Sequence, residues 1–158
     1  MIRTDEFAKD MCNELELRWP ELDWHSPRKP GKGHEQVDLA GSLKGKTLIY
    51  IEAELRRYAP AINVIKIWRW LDNKKNATQL RKLTVVQAFS GFYPKGDSRR
   101  AAAEFIGFKM AKAHKVRYVP IQFSYKPRKY GKVGAGRRRL HARLLATKIS
   151  RKLRRELL

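Results

Sequence analysis

The chain lacks several features that would place it in common classes. It has a single cysteine, Cys12, so it can form neither an internal disulfide nor a cysteine-rich zinc site. No uncharged apolar run approaches the roughly 20 residues that a membrane helix needs. The first residues, MIRTDEFAKD, are too polar for a signal peptide. No internal repeat is present. The glycines of 131–136 lack the Gly-Lys-Ser/Thr of a phosphate-binding loop and read as a flexible hinge; no small-molecule cofactor is expected. These absences describe a soluble protein of a reducing, intracellular compartment, the cytoplasm, with no membrane partner. Acidic residues are scarce over most of the chain. Residues 58–158 hold 26 Lys/Arg and 4 Asp/Glu, against 10 and 11 in residues 1–57, and the whole chain carries +21. Such a charge drives association with polyanions by counterion release, so nucleic acid is the expected partner.

The 158 residues suit one domain, and 42% hydrophobic content is enough to build a core. Residues 4–18 read as a helix with Phe7, Ala8, Met11, Cys12 and Leu15 along its apolar stripe. Trp19-Pro20 ends it, and 20–35 read as a loop. Val37–Gly41 and Thr47–Leu55 read as strands joined by a turn. Pro60 opens a helix that runs to about Asn73. Leu83–Phe89 reads as a third strand and Asp97-Ser98 as the cap of a helix to about His114. Arg117–Tyr125 reads as a fourth strand, at an edge or a bulge because Pro120 cannot donate to a ladder. A basic glycine-rich linker (126–136) and a basic helix (137–158) follow. The fold class is α/β, a mixed central sheet flanked by helices. The division is a core of 1–125, the linker and the C-terminal helix.

The second strand carries the chemical signal. Alternation puts Leu48, Tyr50, Glu52 and Glu54 on one face. Two carboxylates on one strand face repel each other, so the sequence accepts a cost there. A three-residue loop, Leu43-Lys44-Gly45, would pair Ser42 with Lys46 and bring Asp38 to that same face. Three converging carboxylates would be relieved by a divalent cation, and oxygen ligands favour Mg²⁺ or Mn²⁺.

The segments H-E-Q-V-D-L-A-G and T-L-I-Y-I-E-A-E-L resemble the core motif of the PD-(D/E)xK, or restriction-endonuclease-like, nuclease superfamily. Asp38 falls at the motif Asp, Glu52 at the motif acid 14 residues later and Ala53 at the middle position. The resemblance spans roughly residues 4–125. Val37 replaces the motif Pro, and Glu54 stands where the family has Lys, as in a few restriction enzymes of the superfamily. The resemblance implies a divalent-metal-dependent DNA endonuclease. Asp38, Glu52 and the Ala53 carbonyl would be metal ligands, and Glu54 a further ligand or general base. Glu14 of the first helix would join them, as a first-helix Glu does in several relatives, and Gln87 would line the site from the third strand. Bland readings stand beside these: Glu14 at the edge of its helix stripe, and Gln87 bonded to backbone. With no Lys in the motif, Arg56, Arg57 or Lys66 would supply the cation. The C-terminal helix would meet phosphates through Arg137, Arg138, Arg139, Arg143, Arg151 and Lys152, with Leu140, Leu144, Leu145, Ile149 and Leu153 docking or dimerising on its other side. Trp68 is assigned to the core; Trp70 could face nucleic acid or a second subunit, with core or dimer packing the plainer reading of both. His34, just before the first strand, could touch a phosphate. A homodimer acting on duplex or branched DNA is the first reading. A binding-only protein on a degenerate nuclease fold is the second, and a basic RNA-binding protein is the third.

Overall fold

The computed structural model describes residues 4–26, 37–56, 59–73, 82–125 and 134–158. The elements run α1 (Thr4–Arg18), β1 (Asp23–His25), β2 (Leu39–Leu43), β3 (Lys46–Glu54), α2 (Ala61–Leu71), β4 (Thr84–Phe89), α3 (Ser98–His114), β5 (Arg117–Gln122) and α4 (Ala135–Leu157). One sheet holds all five strands in the order β1-β2-β3-β4-β5. The first three run antiparallel. β3, β4 and β5 run parallel, joined by α2 and α3, as parallel neighbours require. The α/β class and mixed sheet expected from the sequence are therefore present, and Pro120 lies on the edge strand. β1 falls in the segment that reads as a loop, because its three residues are too short to show a period.

Alternation along β3 sorts its side chains into two layers. Ile49, Ile51, Ala53 and Leu55 enter one core with Phe7, Met11 and Leu15 of α1 and Leu145, Ile149 and Leu153 of α4. Tyr50 faces the other core, with Val64, Ile67 and Trp70 of α2 and Met110 of α3. The helices thus cover the sheet in pairs, α1 with α4 and α2 with α3. The buried stripe of α2 is Asn63, Val64, Ile67, Trp70 and Leu71. Trp68 packs, partly buried, against this core as its assignment expects, and Trp70 is buried in it too, with its ring centroid 5.9 Å from that of Tyr50; Ile65, read on the buried row, is exposed.

The β2–β3 hairpin decides where Asp38 goes. Lys44 (φ 48°) and Gly45 (φ 76°) are both left-handed, the mark of a two-residue turn that matches strand twist. Leu43 accordingly pairs with Lys46, and the three-residue loop read from the sequence is not formed. That register alone would set Asp38 opposite Ile51, on the wrong face. The ladder then shifts, so that Ser42 pairs with Thr47 but Gly41 with Ile49. The extra residue, Leu48, is a bulge that moves the partner by one. Continued one step past Leu39↔Ile51, the ladder sets Asp38 opposite Glu52. Gly41 is required here, because a Cβ would lie 2.7 Å from Ile49 and 2.9 Å from the Trp24 ring.

The C-terminal helix is a layer of the core, not an appendage. Ala142, Leu145, Ala146, Ile149 and Leu153 are fully buried against α1 and the sheet. Leu140 and Leu144, read as part of the docking stripe, point outward. Cross-links tie α4 to α1: Arg138 pairs with Asp10 and Glu6, and Arg18 donates to the Thr147 hydroxyl. The boundary drawn at residue 125 therefore does not separate two units. Most of the expected linker, 126–133, lies outside the described residues.

Candidate functional site

The C-terminal ends of β3, β4 and β5 lie side by side, since Glu52, Gln87 and Pro120 occupy one register line across the parallel strands. In open α/β sheets this end is where crevices form. Buried polar groups gather there. Asp38, Glu52, Glu54, Asn63, Gln87 and Ser90 are all buried, and Glu54 is completely so.

Glu54 sits in a hydrogen-bond network. Its Oε1 accepts from Asn63 Nδ2 at 2.8 Å and from Gln87 Nε2 at 2.8 Å. The same Gln87 nitrogen donates to the Pro60 carbonyl at 2.9 Å. Tyr118 fixes which end of Gln87 faces Glu54, because its hydroxyl donates to Gln87 Oε1 at 2.6 Å. Burial, followed by the negative charge of Glu104 and Glu54, raises the Tyr118 hydroxyl far above its ordinary value, so it stays a donor. The Tyr118 ring packs on Gly107 of α3, where a Cβ would lie 2.3 Å from it. Lys66 reaches this network through Asn63, with Nζ 3.4 Å from Oδ1. Gln87 thus bonds a backbone carbonyl, as one of its two readings expects, and also the Glu54 carboxylate.

Asp38 is held differently. Its Oδ2 accepts the Ala53 backbone N–H at 2.9 Å. A strand N–H points along the sheet, so this carboxylate takes the place of a ladder carbonyl at the end of β2. It is thereby fixed to β3 at the residue following Glu52. The set that could hold a divalent cation is Asp38, Glu52 and the Ala53 carbonyl, all oxygen donors. Among the described residues no group of three or more His, Cys, Asp or Glu is arranged to hold a metal ion. A two-carboxylate set matches the way Mg²⁺ is bound, through one or two carboxylates with water and phosphate completing its shell. Glu54 is ill placed for the role of general base: it is sealed from solvent and engaged by two amides, whereas a base must reach the proton it takes.

A basic aromatic rim borders this end of the sheet. Past Glu54 the chain stays pinned, with Ser90 N–H donating to the Glu54 carbonyl at 3.0 Å and Ser90 Oγ donating to the Leu55 carbonyl at 2.6 Å. The Arg56 guanidinium lies over the Phe92 ring, 5.0 Å from its centroid, and Arg99 lies over the same ring at 4.8 Å. Asp97 caps α3, accepting from the N–H groups of Arg99 and Arg100. α4 runs back along β5, since Lys148 donates to the Gln122 carbonyl at 2.5 Å and Arg117 pairs with Glu156. Its N-terminal turn, with exposed Arg137 and Arg139, therefore lies toward the same sheet end. Arg143, Arg151 and Lys152 are also exposed.

Asp38, Glu52, Ala53, Glu54 and Gln87 stand at one end of the sheet, with Arg56 and Lys66 nearby, but among the described residues the three carboxylates expected to converge form no single metal-holding group, because Glu54 is turned into its amide network. Glu14 does not join them; it pairs with Arg18 on the α1–α4 side of the sheet. Arg138 is committed to Asp10 and Glu6. Arg57 and His34 lie outside the described residues. Sequence reasoning missed Asn63, Tyr118, Phe92 and Arg99. Asn63 was detectable as a polar residue in the row of Ile67 and Trp70. The others depend on packing between α3, β4 and β5, which no local pattern shows. Comparison with known proteins gives no match: no family model, no curated protein and no solved structure shows significant similarity to the chain.

Proposed function

We propose that the chain is a divalent-metal-dependent DNA endonuclease of the restriction-endonuclease-like kind, hydrolysing phosphodiester bonds at the Asp38–Glu52 end of the sheet. The observation that carries this reading is the Asp38 carboxylate locked onto the Ala53 N–H beside Glu52, in a chain of net charge +21. Buried acids are costly near a polyanion unless a cation lies between. The resemblance implies a core of a helix, a three-strand meander, a helix and another strand, and the first six elements of the chain, from α1 to β4, run in that order.

Bound Mg²⁺ or Mn²⁺ would supply an activated water and charge neutralisation at the phosphate. Asp38 and Glu52 would hold the ion together with the Ala53 carbonyl. Glu54, clamped by Asn63 and Gln87, would set the position of β3's end rather than move a proton. The phosphate would meet Arg56 and Lys66, and the outer face of α4 would add affinity without base reading. A homodimer is part of the proposal; exposed Ile62, Ile65, Phe105 and Phe108 on neighbouring helices α2 and α3 are the apolar surface such contacts use.

Mn²⁺ binding followed by calorimetry tests the ligand set. Wild type should bind, and Asp38→Asn and Glu52→Gln should each lose at least tenfold in affinity. Equal affinity in all three proteins would remove the metal site. The second reading, a binding-only protein on the same fold, is favoured by one feature, the burial of Glu54 in an amide network. It predicts tight DNA binding with no cleavage in either metal.

A further inference from the structure

We infer that Arg56 and Arg99, both seated on the Phe92 ring, form a phosphate clamp that grips the nucleic-acid backbone beside the carboxylates. The inference rests on the nuclease reading and deepens it, since it places the substrate strand.

Two guanidinium groups within 5.0 Å of one ring centroid repel each other. The negative face of the ring offsets part of that repulsion and fixes where the charges sit. Asp97 takes the Arg99 fork along one edge, its Oδ1 accepting from Nε at 3.2 Å and its Oδ2 from Nη2 at 2.8 Å, so Arg99 would meet a phosphate through its remaining Nη1 edge; no ion pair of Arg56 with a carboxylate occurs among the described residues. The cluster therefore keeps net positive charge. Lys95 in the same loop is exposed and adds to it. Each Arg is only partly buried, as is Phe92, so the group is anchored and still reaches solvent. The planar fork of Arg56 suits phosphate oxygens, and holding both guanidinium groups on a ring lowers the entropy lost on binding.

The position relative to the carboxylates is fixed by backbone. Arg56 lies two residues beyond Glu54 on the exit from β3. The Phe92 N–H donates to Ser90 Oγ at 3.2 Å, and that hydroxyl donates to the Leu55 carbonyl at 2.6 Å. Ser90 N–H in turn holds the Glu54 carbonyl. The loop carrying Phe92 and the strand carrying the acids are thus bonded to each other. A strand gripped here would run past the C-terminal end of β3. A purely structural role would instead have the two Arg residues only brace the β4–α3 loop.

The test is equilibrium binding of the full chain to a fluorescent duplex and a four-way junction in EDTA, across a salt series, with thermal melting as the folding control. Arg56→Gln and Arg99→Gln should each flatten the plot of log K against log salt by about 0.9, which is ~8-fold weaker binding at about 0.1 M salt relative to a 1 M reference. Phe92→Leu leaves the charge unchanged and should still weaken binding several-fold. Arg56→Lys keeps the charge and should keep the slope while losing affinity. If wild type binds steeply and the two Gln variants match its slope, the clamp is overturned and the nuclease reading stands. If wild type fails to bind either DNA at low salt, the nuclease reading falls and the clamp with it.

Discussion

Replacing Glu54 by alanine separates its architectural role from any catalytic one. The side chain is fully buried, and its Oε1 is the acceptor for Asn63 Nδ2 and Gln87 Nε2. Alanine removes that acceptor and leaves two buried amide hydrogens to find another. Each stranded donor costs about 1–3 kcal/mol, so the pair costs about 2–6 kcal/mol. Relief of a buried carboxylate's desolvation moves the net figure toward the lower end. For a chain of this size each kcal/mol shifts the midpoint by about 2–4 °C, giving a fall of roughly 4–24 °C. Glu54→Gln keeps a carbonyl oxygen where Oε1 sits and removes the charge, so it should fall less than Glu54→Ala. Calorimetric or circular-dichroism melts of the three proteins provide the assay. An alanine variant as stable as wild type, or a glutamine variant that falls as far as alanine, would refute the network as described.

Other outcomes follow from packing and burial. Gly107→Ala should cost several kcal/mol, about 1–3 for overpacking or more, because its Cβ would lie 2.3 Å from the Tyr118 ring; urea denaturation reads it. Deleting residues 134–158 should unfold the protein. Burial of Leu145, Ile149 and Leu153 contributes about 1.5–3 kcal/mol each, comparable with a typical total stability of about 5–15 kcal/mol, and loss of the far-ultraviolet helix signal and of the cooperative melt would show it. Burial, followed by the charge of Glu16, pushes the Cys12 thiol up to about 11. Native protein at pH 8 should therefore resist iodoacetamide until denatured, as mass spectrometry of the intact chain can follow.

The sequence carried most of the helices and the long strands because their apolar periods are regular. Asp97 before Ser98 marked the start of α3, and its carboxylate does cap that helix. β1 was illegible because Asp23–His25 is too short for alternation to show. The shared face of Asp38 and Glu52 was reached through a wrong loop. A three-residue turn and a two-residue turn plus a bulge at Leu48 shift the register by even and matching parity, so both keep Asp38 on the Glu52 face. What distinguishes them is the left-handed backbone of Lys44 as well as Gly45, which makes the turn two residues long and which the pattern does not show at a lysine. Trp68 and Trp70 both reach the core; the pattern leaves Trp70 open because α2 has apolar residues on most of its surface, and its seat is set by Tyr50 across the sheet. The C-terminal helix read as a basic arm because its charge outweighs a narrow apolar stripe. α1 supplies the matching surface, which α4's own sequence cannot show. Within the site, Glu52, Glu54 and Gln87 were visible as polar residues in strands, but the seat of Glu54 between Asn63 and Gln87 required tertiary structure.

The central claim is that Asp38 and Glu52 serve metal-dependent cleavage of DNA. It is tested most directly by incubating purified wild type and Glu52→Gln with supercoiled plasmid and with a four-way junction, in Mg²⁺, in Mn²⁺ and in EDTA. Wild type should convert plasmid or junction to cut products in at least one metal and should cut neither in EDTA. Glu52→Gln should bind DNA as tightly or more tightly, since a carboxylate has been removed near phosphates, yet cut neither. Wild type that shifts both substrates in a gel but leaves them intact in Mg²⁺ and in Mn²⁺ would contradict the claim.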